Sequence, residues 1–246
     1  MSNLGANALS DQETRGYFSA IGKEQIQRLS LLAFEGRLSH AVSIRIGKGP
    51  RSNLQYLMNL EELTNLDIEI GSLLPLNLSK LTKLRHVGRS ENFTQSVEIW
   101  PPSMHLESLT FVKPSEETLV RFCGLASSLY IYSPPTVFPE IGPDFNTKEL
   151  KIYFGRKDLF DIRALSRFQA LETLSLYRCS GKISNARSLS SLKKLQNVII
   201  FNAPNIDDYE WLFELPNLRR VLFMGAKDLP GLDIALRLAE AGLIAY

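Results

Sequence analysis

A short apolar motif recurs eight times along the chain at nearly even spacing. Its fourth position is apolar in every copy, and its first and sixth positions are apolar in all copies but one each. The fourth positions, which follow one another at intervals of 20 to 24 residues, are Leu66, Val87, Leu109, Leu129, Leu150, Leu174, Val198 and Val221. Alternating apolar positions are typical of a β-strand with one buried face. A fixed period of this length predicts a solenoid in which each coil stacks on its neighbours.

Two further apolar positions keep the same register. The residue six places before each motif is apolar in every copy, and the residue three places before it is apolar in most. Four apolar columns per repeat are what a continuous stacked core requires. Arg89 is the one charged residue at a sixth position. A local slip of the strand is favoured there over a buried arginine, because an unpaired buried guanidinium is costly.

Over residues 38–226 the pattern resembles the leucine-rich-repeat family, in particular its short bacterial and internalin-like repeats. The resemblance implies an α/β solenoid with a curved parallel β-sheet on its concave face and 3-10 or short helical turns on its convex face. A ninth, poorer repeat is expected at Val42 and Ile44, as the fourth and sixth positions. The family usually has Asn or Cys at the ninth position, and here only Asn92 and Cys179 match. We therefore expect an irregular member.

Each end of the chain contains a segment predicted to cap the solenoid, whose end coils expose apolar edges. The apolar spacing of Lys23–Phe34 predicts a helix. Leu232–Ala241 has the same spacing, with Leu232 and Leu236 on its predicted apolar face and Gly242 as a stop signal. The predicted organisation is one continuous domain with an N-terminal cap over residues 1–37, about nine coils over 38–226 and a capping helix over 227–246.

Composition excludes several classes of function. The chain has 246 residues, 44% of them hydrophobic, and a net charge of +2 without a block of like charges. This balance leaves no electrostatic footprint for nucleic acid or an anionic membrane. The first residues show no secretory signal, and no apolar run approaches the ~18 residues of a membrane span. We expect a cytoplasmic protein in which Cys123 and Cys179 are buried thiols.

Candidate catalytic and metal-binding residues are scarce. His40, His86 and His105 fall in different repeats and have no metal-ligand spacing with either cysteine. The chain contains no glycine-rich phosphate loop and no nucleophile elbow. Glu69 and Glu91 are predicted to lie on adjacent coils, but a solvated acidic patch is favoured over an active site built with His86. The sequence predicts no enzyme, no metal site and no cofactor.

Residues between the buried positions are predicted to face the concave surface, because side chains alternate along a strand. At the seventh position the C-terminal repeats carry aromatic residues and a methionine, and the fifth and eighth positions add further aromatic residues. Lys113, Lys151 and Arg178 flank them, and two acidic residues stand on the same face of an earlier repeat. The predicted partner-binding residues are Tyr130, Tyr132, Tyr153, Phe154, Tyr177, Phe201, Lys151, Arg178, Asp67 and Glu69.

Two interpretations of this face are open. Aromatic residues suit strands and stabilise sheets by stacking, each cross-strand pair contributing roughly 0.2–1 kcal/mol. A contiguous, tyrosine-rich apolar surface is also typical of a partner-binding site. We favour a bacterial protein-binding module that is a monomer when free, with neutralisation of a toxin or enzyme as one form of this function. The alternative is binding of an anionic or single-stranded nucleic-acid ligand on the same face.

Overall fold

The computed structural model describes residues 16–20, 22–47, 57, 59–68, 76–88, 97–99, 105–140, 146–155, 159–203, 205–225 and 230–245. By its internal contacts the chain forms two compact units, Met1–Ser108 and Leu109–Tyr246. The predicted cap boundaries at residues 37 and 226 stay predictions. Arg89, where a slip of the strand is expected, lies outside the described residues.

Parallel strands form the sheet of the first unit. In sheet order they are β1 (Tyr17–Ala20), β2 (Ser43–Ile46), β3 (Asn65–Ile68) and β5 (His86–Gly88), while β4 (Leu76–Asn77) pairs separately with β6 (Val97–Ile99). Ile44 lies opposite Leu66 and Ile46 opposite Ile68, and all four side chains are buried. The expected extra repeat therefore exists, but its predicted register is wrong by two residues. Val42 precedes the strand, where its N–H donates to the carbonyl of Gly16.

The N-terminal end contains a helix and a strand. Helix α1 (Gly22–Phe34) buries Ile26, Leu29 and Ala33, as the helical spacing predicts. Strand β1 is not predicted by the apolar motif, although it continues the parallel register of β2. Gly16 precedes β1 with a φ of +69°, and a Cβ there would lie 2.7 Å from the carbonyl oxygen of His40. Both the backbone conformation and the close approach therefore require glycine.

The sheet of the second unit is also parallel. In sheet order its strands are β8 (Ala126–Tyr132), β9 (Glu149–Tyr153), β11 (Thr173–Tyr177), β13 (Asn197–Phe201), β14 (Arg220–Phe223) and β15 (Ile244–Ala245), and β7 (Leu106–Val112) contains the boundary between the units. The fourth-position residues that stand opposite one another and are fully buried are Leu129, Leu150, Leu174, Val198 and Val221. The predicted solenoid register is confirmed here. Phe223, at a sixth position, is only half-buried.

The turns that join these strands are short helices and short strands. They comprise helix α2 (Glu116–Phe122), 3-10 helices at Cys123–Leu125, Arg163–Arg167, Ala186–Ser191 and Glu210–Leu212, and the parallel pair β10 (Leu159–Asp161) and β12 (Lys182–Ser184). Ser115 caps α2, because its hydroxyl accepts a hydrogen bond from the Thr118 N–H at 3.2 Å. These turns match the 3-10 and short helical connections expected of the fold.

The C-terminal helix forms as predicted, but its buried side differs. Helix α3 spans Leu232–Glu240 and buries Leu238, whereas Leu232 and Leu236 are 76% and 54% exposed. The predicted apolar face is therefore wrong. Leu238 is fully buried, and the neighbouring Arg237 guanidinium makes two hydrogen bonds to Glu210 and lies 4.1 Å from the centre of the Phe213 ring.

A further strand follows α3. Gly242 has a left-handed backbone with a φ of +68°, and β15 then pairs with β14 so that Ile244 lies opposite Val221. Ile244 is 23 residues after Val221, which is one repeat period. The segment predicted to be only a capping helix therefore adds another parallel strand to the sheet.

Candidate protein-binding face

The outer face of the second unit, which we define as its side chains at the third, fifth and seventh motif positions, is the candidate site. The fourth- and sixth-position side chains point into the core, so strand alternation directs these others outward. Tyr132, Tyr153 and Tyr177 occupy equivalent positions on successive strands. We refer to these three residues as the tyrosine ladder. Each is half-exposed.

The rings of the tyrosine ladder stack on one another. The ring centres of Tyr132 and Tyr153 are 4.4 Å apart with an interplanar angle of 7°, and those of Tyr153 and Tyr177 are 4.5 Å apart with an angle of 9°. Phe201 continues the column but meets Tyr177 edge-on, at 6.0 Å and 69°. Because the strand spacing places the rings in contact, the faces of the tyrosines cover each other. A partner therefore meets mainly ring edges and hydroxyl groups.

The stacking also changes the chemistry of the central hydroxyl. Burial raises the pKa of Tyr153 above its ordinary value, and the neighbouring hydroxyl groups of Tyr132 and Tyr177 raise it further. A neutral phenol can both donate and accept a hydrogen bond. Tyr153 therefore stays a neutral hydrogen-bonding group throughout the physiological pH range.

Lys151 is held in a polar cluster at the edge of the ladder. Its Nζ lies 2.8 Å from Glu149 Oε1 and 5.0 Å from the centre of the Tyr130 ring, and the Tyr130 hydroxyl donates to Glu149 Oε2 at 3.2 Å. Partial burial opposes ionisation of both charged groups, but their mutual hydrogen bond lowers the pKa of Glu149 and raises that of Lys151. The predicted flanking cation is therefore neutralised within the protein.

Phe154 does not lie on the outer face, and its predicted role as an exposed contact is wrong. The side chain is 4% exposed and packs against Phe160, with ring centres 4.5 Å apart. The equivalent residues Ser133, Arg178 and Asn202 have left-handed backbones with φ between 50° and 57°, whereas Phe154 has no positive φ. This backbone difference turns Phe154 into the interior and leaves Arg178 exposed.

An apolar patch continues the outer face beyond the tyrosine ladder. It consists of Ile199, Phe201, Leu222 and Met224, on strands β13 and β14 and the residue that follows β14. Met224 is 51% exposed and the other three side chains are half-buried. Of these four, only Phe201 belongs to the predicted binding set, although the others follow from the same alternation.

Ser175 is a feature that the sequence pattern does not reveal. It stands between Lys151 and Ile199 at the fifth position of β11, yet it is fully buried. Its hydroxyl has no hydrogen-bond partner in the described part of the chain. Only the three-dimensional packing shows that larger neighbours cover this small side chain.

The acidic residues predicted on the earlier repeats lie in the first unit. Asp67 Oδ2 is 3.6 Å from Nε of Arg45, which occupies the facing position on β2. Glu69 and Glu91 lie outside the described residues. The predicted role of Asp67 and Glu69 in partner binding stays a prediction.

The first unit also contains an arrangement of a serine, a histidine and a glutamate. His86 Nδ1 lies 2.8 Å from Ser108 Oγ, and His86 Nε2 lies 3.5 Å from Glu107 Oε2. The nearby N–H groups of Glu107 and Ser108 both donate to the carbonyl of Arg85, so they are not free to stabilise an oxyanion. These two N–H groups therefore cannot serve as the oxyanion donors that acyl transfer needs. Among the described residues no cluster of His, Cys, Asp and Glu has the arrangement of a metal site.

Comparison with known proteins gives similarities to solved structures but no match in sequence. No protein-family model matches the chain, and no curated protein matches it in sequence. The chain is similar to the crystal structure of an internalin from Listeria monocytogenes, with 16% identity and a TM-score of 0.41. The alignment covers 84% of this chain and 66% of the internalin, so the chain spans just under two thirds of that protein's length.

The fold is identified by the chain's own geometry. Within each unit parallel strands recur at about one repeat period and in register, with their fourth-position residues buried, and 3-10 turns connect several strands of the second unit. None of the helices in the described ranges is long and apolar enough to span a membrane. The chain has the fold of a leucine-rich-repeat protein.

Proposed function

We propose that the chain is a protein–protein interaction module that binds a protein partner through the outer face of its second unit. The observation that carries the proposal is the continuous column of Tyr132, Tyr153, Tyr177, Phe201 and Met224, which is partly exposed along its length. Rigid aromatic side chains bury a large area at little entropic cost, and interface hot spots are enriched in tyrosine. Neutralisation of a toxin or enzyme in the bacterial cytoplasm is one form of this function.

Stacking within the sheet explains the aromatic residues of the tyrosine ladder but not the apolar patch beside it. The tyrosine ladder covers its own ring faces, as a structural role requires. The apolar patch beside it has no such internal explanation, because Met224 is more than half exposed. Isolated exposed apolar residues are normal on soluble proteins, but contiguous ones are typical of interaction sites.

The geometry disfavours the alternative of single-stranded nucleic acid. Proteins that bind single strands stack bases on the open faces of aromatic rings. In the tyrosine ladder both faces of Tyr153 are occupied by Tyr132 and Tyr177. Lys151, which would contact a phosphate, is already paired with Glu149. A protein surface that contacts ring edges and hydroxyl groups fits this site better than a stacked base.

Affinity capture with matched variants tests the proposal. The tagged chain and its Tyr177→Ser/Phe201→Ser variant are used as bait in lysate of the source organism, and captured proteins are identified by mass spectrometry. A hot-spot aromatic typically contributes about 2 kcal/mol or more, so each substitution is expected to weaken a specific partner roughly 30-fold. Leu159→Ser is the control, because Leu159 is also exposed but belongs to β10, outside the face.

The proposal requires that a partner be retained by the control and lost by the double variant. A partner that both variants retain would place the binding site elsewhere on the molecule. Tight binding of the oligonucleotide dT15 that weakens steeply with salt would instead support the nucleic-acid alternative.

A further inference from the structure

Some charged side chains at the outer face of the second unit are paired with an opposite charge, and others are not. Glu149 pairs with Lys151 at 2.8 Å, and Glu172 pairs with Lys148 at 3.5 Å. Glu149, at the third motif position, belongs to the outer face and Glu172, at the second position, lies next to it, and each has a neutralising lysine. Their contribution to the net charge of this face is close to zero.

Three arginines near the apolar patch have no such compensation. Arg178 directly follows Tyr177 at the end of β11, while Arg219 and Arg220 stand at the start of β14. All three are exposed, and within the described part of the chain none makes an ion pair with a carboxylate. Arg220 stands at the third motif position, opposite Asn197, so it belongs to the outer face itself.

The arginines lie on both sides of the apolar patch. Strand β14 runs from Arg220 through Leu222 towards Met224, which places one cationic group at the beginning of the patch. Arg178 lies at the opposite end of the strands, because its N–H donates to the carbonyl of Phe201 at 2.7 Å. The patch is therefore an apolar centre with an uncompensated arginine at each end.

We infer that the partner presents an apolar anchor flanked by carboxylates, so that the anchor contacts the apolar patch and the carboxylates pair with Arg178 and Arg220. This inference rests on the proposed function and specifies the partner as an acidic protein surface. Arginine forms two parallel hydrogen bonds with a carboxylate, which fixes geometry as well as attraction. Aromatic residues, methionine and arginine are also the side chains enriched in the cores of protein interfaces.

The experiment uses a probe of known composition. A display library of a folded helical domain with a randomised surface is selected against the immobilised full chain. Selected binders are expected to carry Asp or Glu on both sides of a large apolar residue. Arg178→Ser and Arg220→Ser are each expected to weaken them about tenfold or more, and raising the salt concentration is expected to slow association. The matched control is Lys182→Ser, which removes one exposed positive charge from β12, outside the face.

The outcomes separate this inference from the proposed function. Binders that lose affinity with Phe201→Ser but not with either arginine variant, or that show no enrichment in Asp and Glu, would refute the acidic partner and leave the binding face intact. Binders insensitive to Phe201→Ser as well, or a selection that yields no binder, would refute both. Equal losses with Lys182→Ser would show that only net charge matters and would also refute the inference.

Discussion

The central ring of the tyrosine ladder offers a direct measurement of how much the stacking stabilises the fold. Tyr153 stacks on two neighbours, at 4.4 Å and 4.5 Å, whereas Tyr132 stacks on Tyr153 alone within the ladder. An aromatic pair contributes about 0.5–1.5 kcal/mol beyond the area that it buries. We therefore expect Tyr153→Ser to lower the free energy of unfolding by about 1–3 kcal/mol, and Tyr132→Ser by about half as much.

Equilibrium unfolding in urea, followed by circular dichroism, measures both losses. Tyr153→Phe is the control, because it keeps both stacked contacts and removes only the hydroxyl group. This variant is expected to stay within about 0.5 kcal/mol of the wild type, as is usual for substitutions that keep core, caps and buried networks. If Tyr153→Ser and Tyr132→Ser cost the same, or if Tyr153→Ser also stays within that range, the stacked rings do not stabilise the sheet.

Two further predictions concern buried and paired polar groups. Ser175→Ala removes a buried hydroxyl group that has no hydrogen-bond partner among the described residues. The substitution is therefore expected to stabilise the protein by about 1 kcal/mol in the same urea assay. A loss of stability would show that the hydroxyl group has a partner. Hydrogen bonds from Arg163 hold the pKa of Asp161 at about 2 instead of 3.8. Because this folded-state pKa is depressed, the pair's stabilisation is present above about pH 4 and is lost as the pH falls through about 2. The difference in Tm between wild type and Asp161→Asn should therefore shrink from about pH 5 to about pH 2, and a constant difference would contradict the assignment.

The repeat pattern of the sequence was sufficient to predict the stacked core of the second unit. In a solenoid each coil contacts mainly its neighbours, so a residue's environment repeats with the period of the sequence. Leu150 and Leu174 are buried for this reason, and their positions follow from spacing alone. The helical spacing of apolar residues likewise predicts the helix at Leu232–Glu240. It does not predict β1, because a single strand at the start of the array has too few apolar positions to show a period.

The predictions that were wrong depend on contacts that spacing does not encode. Phe154 turns inward, and its backbone lacks the left-handed conformation of the equivalent residues. Its position in the repeat is the same as theirs, and only its apolar side chain among polar equivalents distinguishes it in the sequence. Helix α3 exposes Leu232 and Leu236 and buries Leu238 instead, on the side of the helix where Arg237 pairs with Glu210. An amphipathic pattern gives the apolar side of a helix, but tertiary contacts decide which side faces the protein.

Some features of the candidate site follow from the sequence, and others depend on tertiary contacts. Strand alternation by itself determined that tyrosines and a phenylalanine line one face of the sheet, because side chains alternate with a period of two. Only the tertiary structure decided that the tyrosine rings cover one another and that Lys151 is neutralised by Glu149. It also decided which arginines remain uncompensated. The stacked rings belong to adjacent coils, about 20 residues apart in the chain, whereas Lys151 and Glu149 lie two residues apart on one strand. In both cases the side-chain rotamers are set by packing rather than by sequence spacing.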